Sequence, residues 1–154
     1  MHDHHAGCAD STTWRTAAQA TLHCLTGCAI GEVVGMVIGT AFGLHNAATV
    51  VLSIALAFVF GYALTMRAVL GAAVPVRRAL GVALAADTIS IAVMEVVDNS
   101  VMVLVPGAMD AGLDSGLFWV ALIGSLSLAF VLTTPVNRGM MGRGRGHAVV
   151  HAYH

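Results

Sequence analysis

The sequence contains no lysine and few charged residues of any kind. Charged residues make up 10% of its 154 residues, whereas a soluble domain typically carries about 25%. Hydrophobic residues account for 58% of the chain, and the mean hydropathy is +0.85. This composition excludes an ordinary soluble domain and predicts an integral membrane protein.

Several signatures of other protein classes are also absent from the sequence. It has no basic surface pattern interleaved with aromatic residues, which would favour nucleic-acid binding. It has no nucleophile–base arrangement, phosphate-binding loop or nucleotide fingerprint. We therefore expect neither a nucleic-acid partner nor an enzyme.

Four apolar runs are long enough to cross a lipid bilayer, which takes about 20 helical residues. They predict an all-α fold, namely a four-transmembrane-helix bundle with a glycine-rich first helix. The expected spans lie near residues 20–44, 47–66, 79–104 and 117–136, with Pro135 closing the last. The chain thus divides into a His- and Cys-bearing tail, a transmembrane domain and a Gly/Arg/His tail: residues 1–19, 20–136 and 137–154.

The basic residues indicate how the bundle is oriented. All are arginine, and they fall in the N-terminal tail, the second connection and the C-terminal tail: Arg15, Arg67, Arg77, Arg78, Arg138, Arg143 and Arg145. Because positively charged loops stay on the cytoplasmic side, both termini are expected to be cytoplasmic. The first 19 residues lack the pattern of a cleaved signal peptide.

Cysteine is scarce, and this topology places all of it toward the cytoplasm. Cys8 lies in the N-terminal tail, whereas Cys24 and Cys28 lie in the first span. A reducing compartment does not favour a disulfide framework, so thiol or thiolate chemistry is the better interpretation.

The first span carries two adjacent rows of residues at four-residue spacing. Residues four apart share one face of a helix. One row contains His23 and the glycines Gly27, Gly31, Gly35, Gly39 and Gly43, which are expected to pack closely against another helix, within the chain or between copies of it. The row is also expected to supply the close approach between spans 1 and 3. The neighbouring row holds Cys24, Cys28 and Glu32. Packing alone also accounts for the two cysteines, which are small residues.

The third span carries four further candidate ligands on one side of a helix: Asp87, Met94, Glu95 and Asp98. A charged residue at mid-membrane costs about 2.5–3.5 kcal/mol on insertion scales. No Lys or Arg lies in any span to compensate the acids. They must be protonated, exposed to water in a cavity, or bound to a cation; Asp98 has the simpler alternative of marking the outer helix end.

Counting residues inward from each helix start places Cys28 level with Asp87, with Glu32 and Glu95 further out. Oxygen donors attract many cations, whereas Cys, His and Met select softer ions such as copper and zinc. We expect a transition-metal ion, copper or zinc, to bind and move along a set of ligands on spans 1 and 3: His23, Cys24, Cys28, Glu32, Asp87, Met94, Glu95 and Asp98.

The two tails are candidates for metal capture. The N-terminal tail contributes His2, His4, His5 and Cys8, and the C-terminal tail contributes His147 and His151. An ordinary solvated tail explains the same residues.

Three other functions stay open. The buried acids and His23 suit a proton relay or a proton-coupled carrier. His23 and Cys24 are candidate axial ligands of a haem or redox module. The glycine row suits an accessory subunit that docks another membrane protein, or a homo-oligomer in the lipid bilayer.

Three motifs resemble those of a known family. They are His23-Cys24-x-x-Gly27-Cys28-x-x-Gly31-Glu32, then Ala86-Asp87-Thr88-x-Ser90 with Met94-Glu95-x-x-Asp98-Asn99, and Pro135-Val136-Asn137-Arg138. They resemble a family of small bacterial four-span membrane proteins classed as a domain of unknown function. The resemblance implies the four-helix fold and a bacterial inner-membrane location, and it implies no activity.

Overall fold

The computed structural model describes residues 13–71 and 76–143, and it confirms the all-α prediction. These residues form four helices: α1 (Trp14–Ala41), α2 (Asn46–Gly71), α3 (Val76–Leu104) and α4 (Gly116–Gly142). The predicted span boundaries differ from the helix boundaries. Helix α1 begins six residues earlier than residue 20, α2 runs on to Gly71, and α4 ends six residues beyond residue 136.

The helices alternate in direction along the chain. Helix α1 runs antiparallel to α2, because Gly27 faces Gly61 whereas Gly39 faces Thr49. Helices α1 and α3 run parallel, and α4 runs against both. The start of α1 and the end of α4 therefore lie together, where Trp14 stacks under the Arg138 guanidinium at 4.3 Å. We call this the terminal end of the bundle, and the opposite end the connection end.

Three of the helices are long and apolar enough to cross a membrane. They are α1, the Asn46–Ala68 part of α2, and α4, with mean hydropathies of 1.6, 2.2 and 2.1. Large apolar side chains such as Val51, Val120 and Val131 are exposed on α2 and α4. Because water would disfavour these exposed faces, they indicate a membrane environment.

The glycine row of α1 packs against α2. A methyl group on Gly27 would lie 2.7 Å from the Cα atom of Gly61, and one on Gly31 would overlap the backbone of Ala57. Gly35 and Gly39 make equally close contacts with Ser53 and Thr49. The row was expected to supply close approach between α1 and α3 as well. That expectation is wrong, because these glycines face α2, while α3 packs on the neighbouring Cys24–Cys28–Glu32 face.

Gly43 does not belong to this packing row. Helix α1 ends at Ala41, and Gly43 follows it with a φ of 62° and no atom within 4 Å of where its Cβ would be. The Gly43 N–H donates to the Thr40 carbonyl, and the Leu44 N–H donates to the Gly39 carbonyl at 2.8 Å. This is a Schellman motif, in which glycine takes the left-handed position. Gly43 therefore takes no part in the contact between α1 and α2.

Pro135 lies inside α4, so the expectation that it closes the helix is also wrong. A proline leaves the carbonyl four residues earlier without its backbone donor. Membrane helices tolerate this where nearby Ser or Thr side chains and neighbouring helices satisfy the backbone. The carbonyl concerned is that of Val131, next to Phe130, whose own carbonyl accepts from the Thr134 hydroxyl at 2.7 Å. The helix continues past the proline and carries Asn137 into the bundle interior.

Candidate functional site

Seven of the eight predicted ligands form a buried line between α1 and α3, which we call the α1–α3 seam. It consists of Cys24, Cys28 and Glu32 from α1, and Asp87, Met94, Glu95 and Asp98 from α3. Each of these side chains has a relative exposure of 9% or less. The remaining candidate, His23, is only half-buried. The tail candidates His2, His4, His5, Cys8, His147 and His151 lie outside the described residues.

The first pair of the seam, nearest the terminal end, joins Cys24 to Asp87. The Cys24 Sγ–H donates to the Asp87 carboxyl over 3.4 Å. Residue counting predicted that Asp87 would be level with Cys28, which is one helical turn too far along α1. The register was wrong because α1 begins at Trp14, well before the expected start of the first span.

The second pair brings two sulfur atoms together in the middle of the bundle. The Cys28 Sγ lies 4.0 Å from the Met94 Sδ, and both side chains are almost fully buried. The Glu95 carboxyl lies next to the Cys28 thiol. It also accepts a 3.3 Å hydrogen bond from the Asn99 amide. A thiol, a thioether and a carboxyl therefore meet at one level.

The third pair joins two carboxyl groups. Glu32 faces Asp98 across the seam, close enough for the two side chains to share a hydrogen bond. Asp98 also accepts a hydrogen bond from the Ser125 hydroxyl of α4. Asp98 is 2% exposed, so it does not simply mark the outer end of α3. Two carboxylates in contact repel each other, so this pair must hold a proton or a cation.

Sequence reasoning missed a buried polar cluster beside the first pair of the seam. The Asn137 amide of α4 donates to the Thr21 hydroxyl of α1 at 2.8 Å and accepts from the Ser90 hydroxyl of α3. All three side chains are buried. Asn137 follows Pro135, which suggested the start of a solvated tail. A sequence signal did exist, since an apolar membrane helix can continue past a proline where neighbouring helices satisfy the freed backbone group.

A cavity of about 260 Å³ lies at the connection end. It lies between the second half of α1, the start of α2, the end of α3 and the segment around Asp110. Exposed residues such as Gly43 and Asn46 lie among its walls, and the buried Glu32 reaches it from the seam. The Asn46 amide donates to the Asp110 carboxyl at 2.8 Å, which ties the α3–α4 connection to α2.

The seam is a series of pairs rather than one closed site. Within residues 13–71 and 76–143, no three His, Cys, Asp or Glu side chains converge as ligands of one ion. The sequence has no Lys or Arg between residues 16 and 66 or between 79 and 137, so none in these stretches balances the acids. Such an arrangement suits a cation or proton that passes from pair to pair, with Met94 supplying one of the donors.

Comparison with known proteins gives a family but no activity. No curated protein and no solved structure matches the chain. A family model described as "Domain of unknown function (DUF4396)" matches residues 13–146, which include all four helices and the whole α1–α3 seam. By this match the chain belongs to the DUF4396 family of domains of unknown function.

Proposed function

We propose that this protein binds a soft transition-metal cation, copper or zinc, and passes it through the membrane along the α1–α3 seam. The observation that carries the proposal is the 4.0 Å separation between the Cys28 and Met94 sulfur atoms. Thiolate and thioether ligands select soft ions, whereas the oxygen donors elsewhere in the seam discriminate little.

The sulfur separation fits a metal bound by both residues. With metal–sulfur bonds of about 2.3 Å, as in zinc thiolate sites, two sulfur atoms 4.0 Å apart subtend about 120° at the ion. That angle leaves room for a third ligand in the same plane, and the Glu95 carboxyl lies beside Cys28. Binding of the ion would displace the thiol proton, because the thiolate is the ligand form.

The pairs on either side of the sulfur centre provide the remaining steps. Glu32 and Asp98 would hold the cation on the connection side, and Cys24 and Asp87 would hold it on the terminal side. Conduction needs sites that bind strongly enough to admit an ion and weakly enough to release it. Incomplete pairs meet this need better than one closed site with four ligands.

The same proposal includes the membrane orientation. We infer that α3 crosses the bilayer together with α1, α2 and α4, since its acids are buried in the seam while Ile89, Val96 and Val103 are exposed. The arginines of the tails and of the second connection favour a cytoplasmic terminal end in a bacterial inner membrane. The cavity at the connection end would then open to the outside.

The test is metal flux into vesicles reconstituted with the purified protein, with Cu(I) and Zn(II) measured separately. Wild-type protein should carry at least one of them. Cys28→Ser and Met94→Leu should lower the flux at least tenfold. The matched control is Met66→Leu, at a half-buried methionine of α2 that lies outside the seam. Flux that is unchanged in both seam variants would rule out the sulfur centre as part of the path.

The contact between Glu32 and Asp98 favours a second candidate, proton transfer. Two buried carboxyl groups that share a proton can relay it, and Ser125 extends the relay to α4. In this case a pH-sensitive dye inside the vesicles would report proton flux without metal. That flux would be lost in Glu32→Gln and retained in Cys28→Ser and Met94→Leu, which is the opposite of the metal result for the sulfur variants.

A further inference from the structure

Three methionines lie around the cavity at the connection end. Met36 comes from α1, Met102 from α3, and Met109 from the segment between α3 and α4. Met102 belongs to the buried cluster around Phe118, and Met36 and Met109 pack against that cluster. Methionine often fills gaps in apolar cores. Here, however, the three methionines line a cavity that polar residues also line, away from the sulfur pair in the seam.

A residue with a buried carboxyl group, Glu32, lies among the walls of this cavity. Glu32 is 9% exposed and lines the cavity, and its Oε2 atom accepts no hydrogen bond. A buried carboxylate oxygen without a donor is costly, so it calls for a proton or a cation. The volume of about 260 Å³ exceeds that of several waters at about 30 Å³ each. A cation can therefore enter with part of its hydration shell.

We infer that the cavity is an entrance site for Cu(I), bound by the thioethers of Met36, Met102 and Met109 above the Glu32 carboxylate. This inference rests on the proposed function and deepens it, because it selects Cu(I) over zinc. Thioethers are soft, uncharged donors that favour Cu(I), whereas Zn(II) is mostly bound by Cys, His and carboxylates.

The entrance site and the sulfur pair would act in sequence. Uncharged thioethers bind Cu(I) without releasing a proton, so the ion can bind reversibly at the entrance site. Glu32 then lies between the thioethers and the Glu95–Cys28–Met94 level, since it contacts both the cavity and Asp98. Transfer inward exchanges thioether donors for a carboxylate and then for a thiolate, which are charged and hold the cation more strongly.

The test is a count of Cu(I) ions bound by the full-length protein in detergent under anaerobic, reducing conditions against a competing chelator. All variants carry a background in which the tail histidines are alanine and Cys8 is serine, which removes binding by the tails. This background protein should bind two Cu(I). The triple variant Met36→Leu, Met102→Leu and Met109→Leu should bind one ion, at the sulfur pair. Cys28→Ser should also bind one ion, at the entrance site. Leucine conserves side-chain volume, so the core should remain packed.

The outcomes separate the entrance site from the sulfur centre. Copper content unchanged in the triple variant, with one ion lost in Cys28→Ser, would overturn the entrance site and leave the proposed function standing. One ion lost in the triple variant and none in Cys28→Ser would overturn the sulfur centre and leave the entrance site standing. If the triple variant does not fold, Met109→Leu alone serves, since Met109 is only half-buried. We expect it to weaken one Cu(I) site at least tenfold, and unchanged affinity would overturn the inference.

Discussion

The amide of Asn137 donates a 2.8 Å hydrogen bond to the hydroxyl of Thr21, which joins the last turns of α4 to the first turns of α1. The same amide accepts from Ser90, so one side chain connects three helices. The cluster lies beside the first pair of the seam, because Ser90 follows Asp87 on α3 and its side chain contacts the Cys24 thiol. The Asn137 side chain of α4 therefore packs against the terminal part of the α1–α3 seam.

Asn137→Leu should destabilise the protein although it conserves volume. Interhelical hydrogen bonds in membranes contribute about 0.6 kcal/mol each and at most about 1.7 kcal/mol. Loss of two such bonds, with Ser90 left buried without its acceptor, should lower the free energy of unfolding by about 1–3 kcal/mol. Chemical unfolding in detergent measures it. The control is Ser127→Ala, whose exposed hydroxyl bonds only to its own helix, and equal stability of the two variants would contradict the role of Asn137.

Gly31→Ala should destabilise the α1–α2 contact, because the added methyl group would overlap the backbone of Ala57. Overpacking costs about 1–3 kcal/mol, and the better helix propensity of alanine offsets up to about 1 kcal/mol of that. Gly124→Ala is the matched control. Gly124 is also in a helix, but nothing lies within 4 Å of its added Cβ. The unfolding temperature should be highest for Gly124→Ala, lower for the wild type and lowest for Gly31→Ala. A Gly31→Ala variant that unfolds at a higher temperature than the wild type would contradict the packing.

Copper binding should stabilise the wild-type protein more than Cys28→Ser, which keeps only the methionine site at the connection end. A ligand at a hundred times its dissociation constant stabilises the folded state by about 2.7 kcal/mol per site. Because removal of the thiol takes away the charged sulfur donor beside Met94, the part of the gain that comes from the sulfur pair should disappear. Unfolding with and without Cu(I), in a background without tail ligands, measures the difference. An undiminished gain in Cys28→Ser would place the bound ion elsewhere.

In protein without bound metal, Glu32→Gln should raise the free energy of unfolding. The carboxyl of Glu32 faces that of Asp98, and a neutral amide removes their repulsion and can donate a hydrogen bond to Asp98. We expect a gain of about 1 kcal/mol in the free energy of unfolding, the usual size of one net hydrogen bond. The control is Asp114→Asn, an exposed carboxyl in the α3–α4 connection. A large loss of stability in Glu32→Gln would mean that its charge is balanced within the protein.

The sequence was sufficient to predict which residues line the interior, because insertion of an acid into the membrane has a large cost and few placements avoid it. Glu32, Asp87 and Glu95 could be recognised on this ground, whereas Asp98 was also compatible with the outer end of the helix. The residues that pair with these acids could not be predicted, because the register between α1 and α3 depends on where each helix begins. A polar first turn, such as the one after Thr13, has no hydropathy signal. Asn137 was missed for a related reason: a proline is a weak helix terminator where backbone groups have other partners.

The glycine row has a mechanical consequence. Where Gly27 meets Gly61 and Gly31 meets Ala57, two backbones touch with no side chain between them. At these points α1 and α2 cannot approach further without a steric clash, and no side chain lies between them that could rotate and change their spacing. A change in the width of the α1–α3 seam would therefore come from α3 and α4, whose contacts with α1 are made by side chains that can rotate. Pro135, with no backbone N–H to restrain it, gives α4 a place to bend.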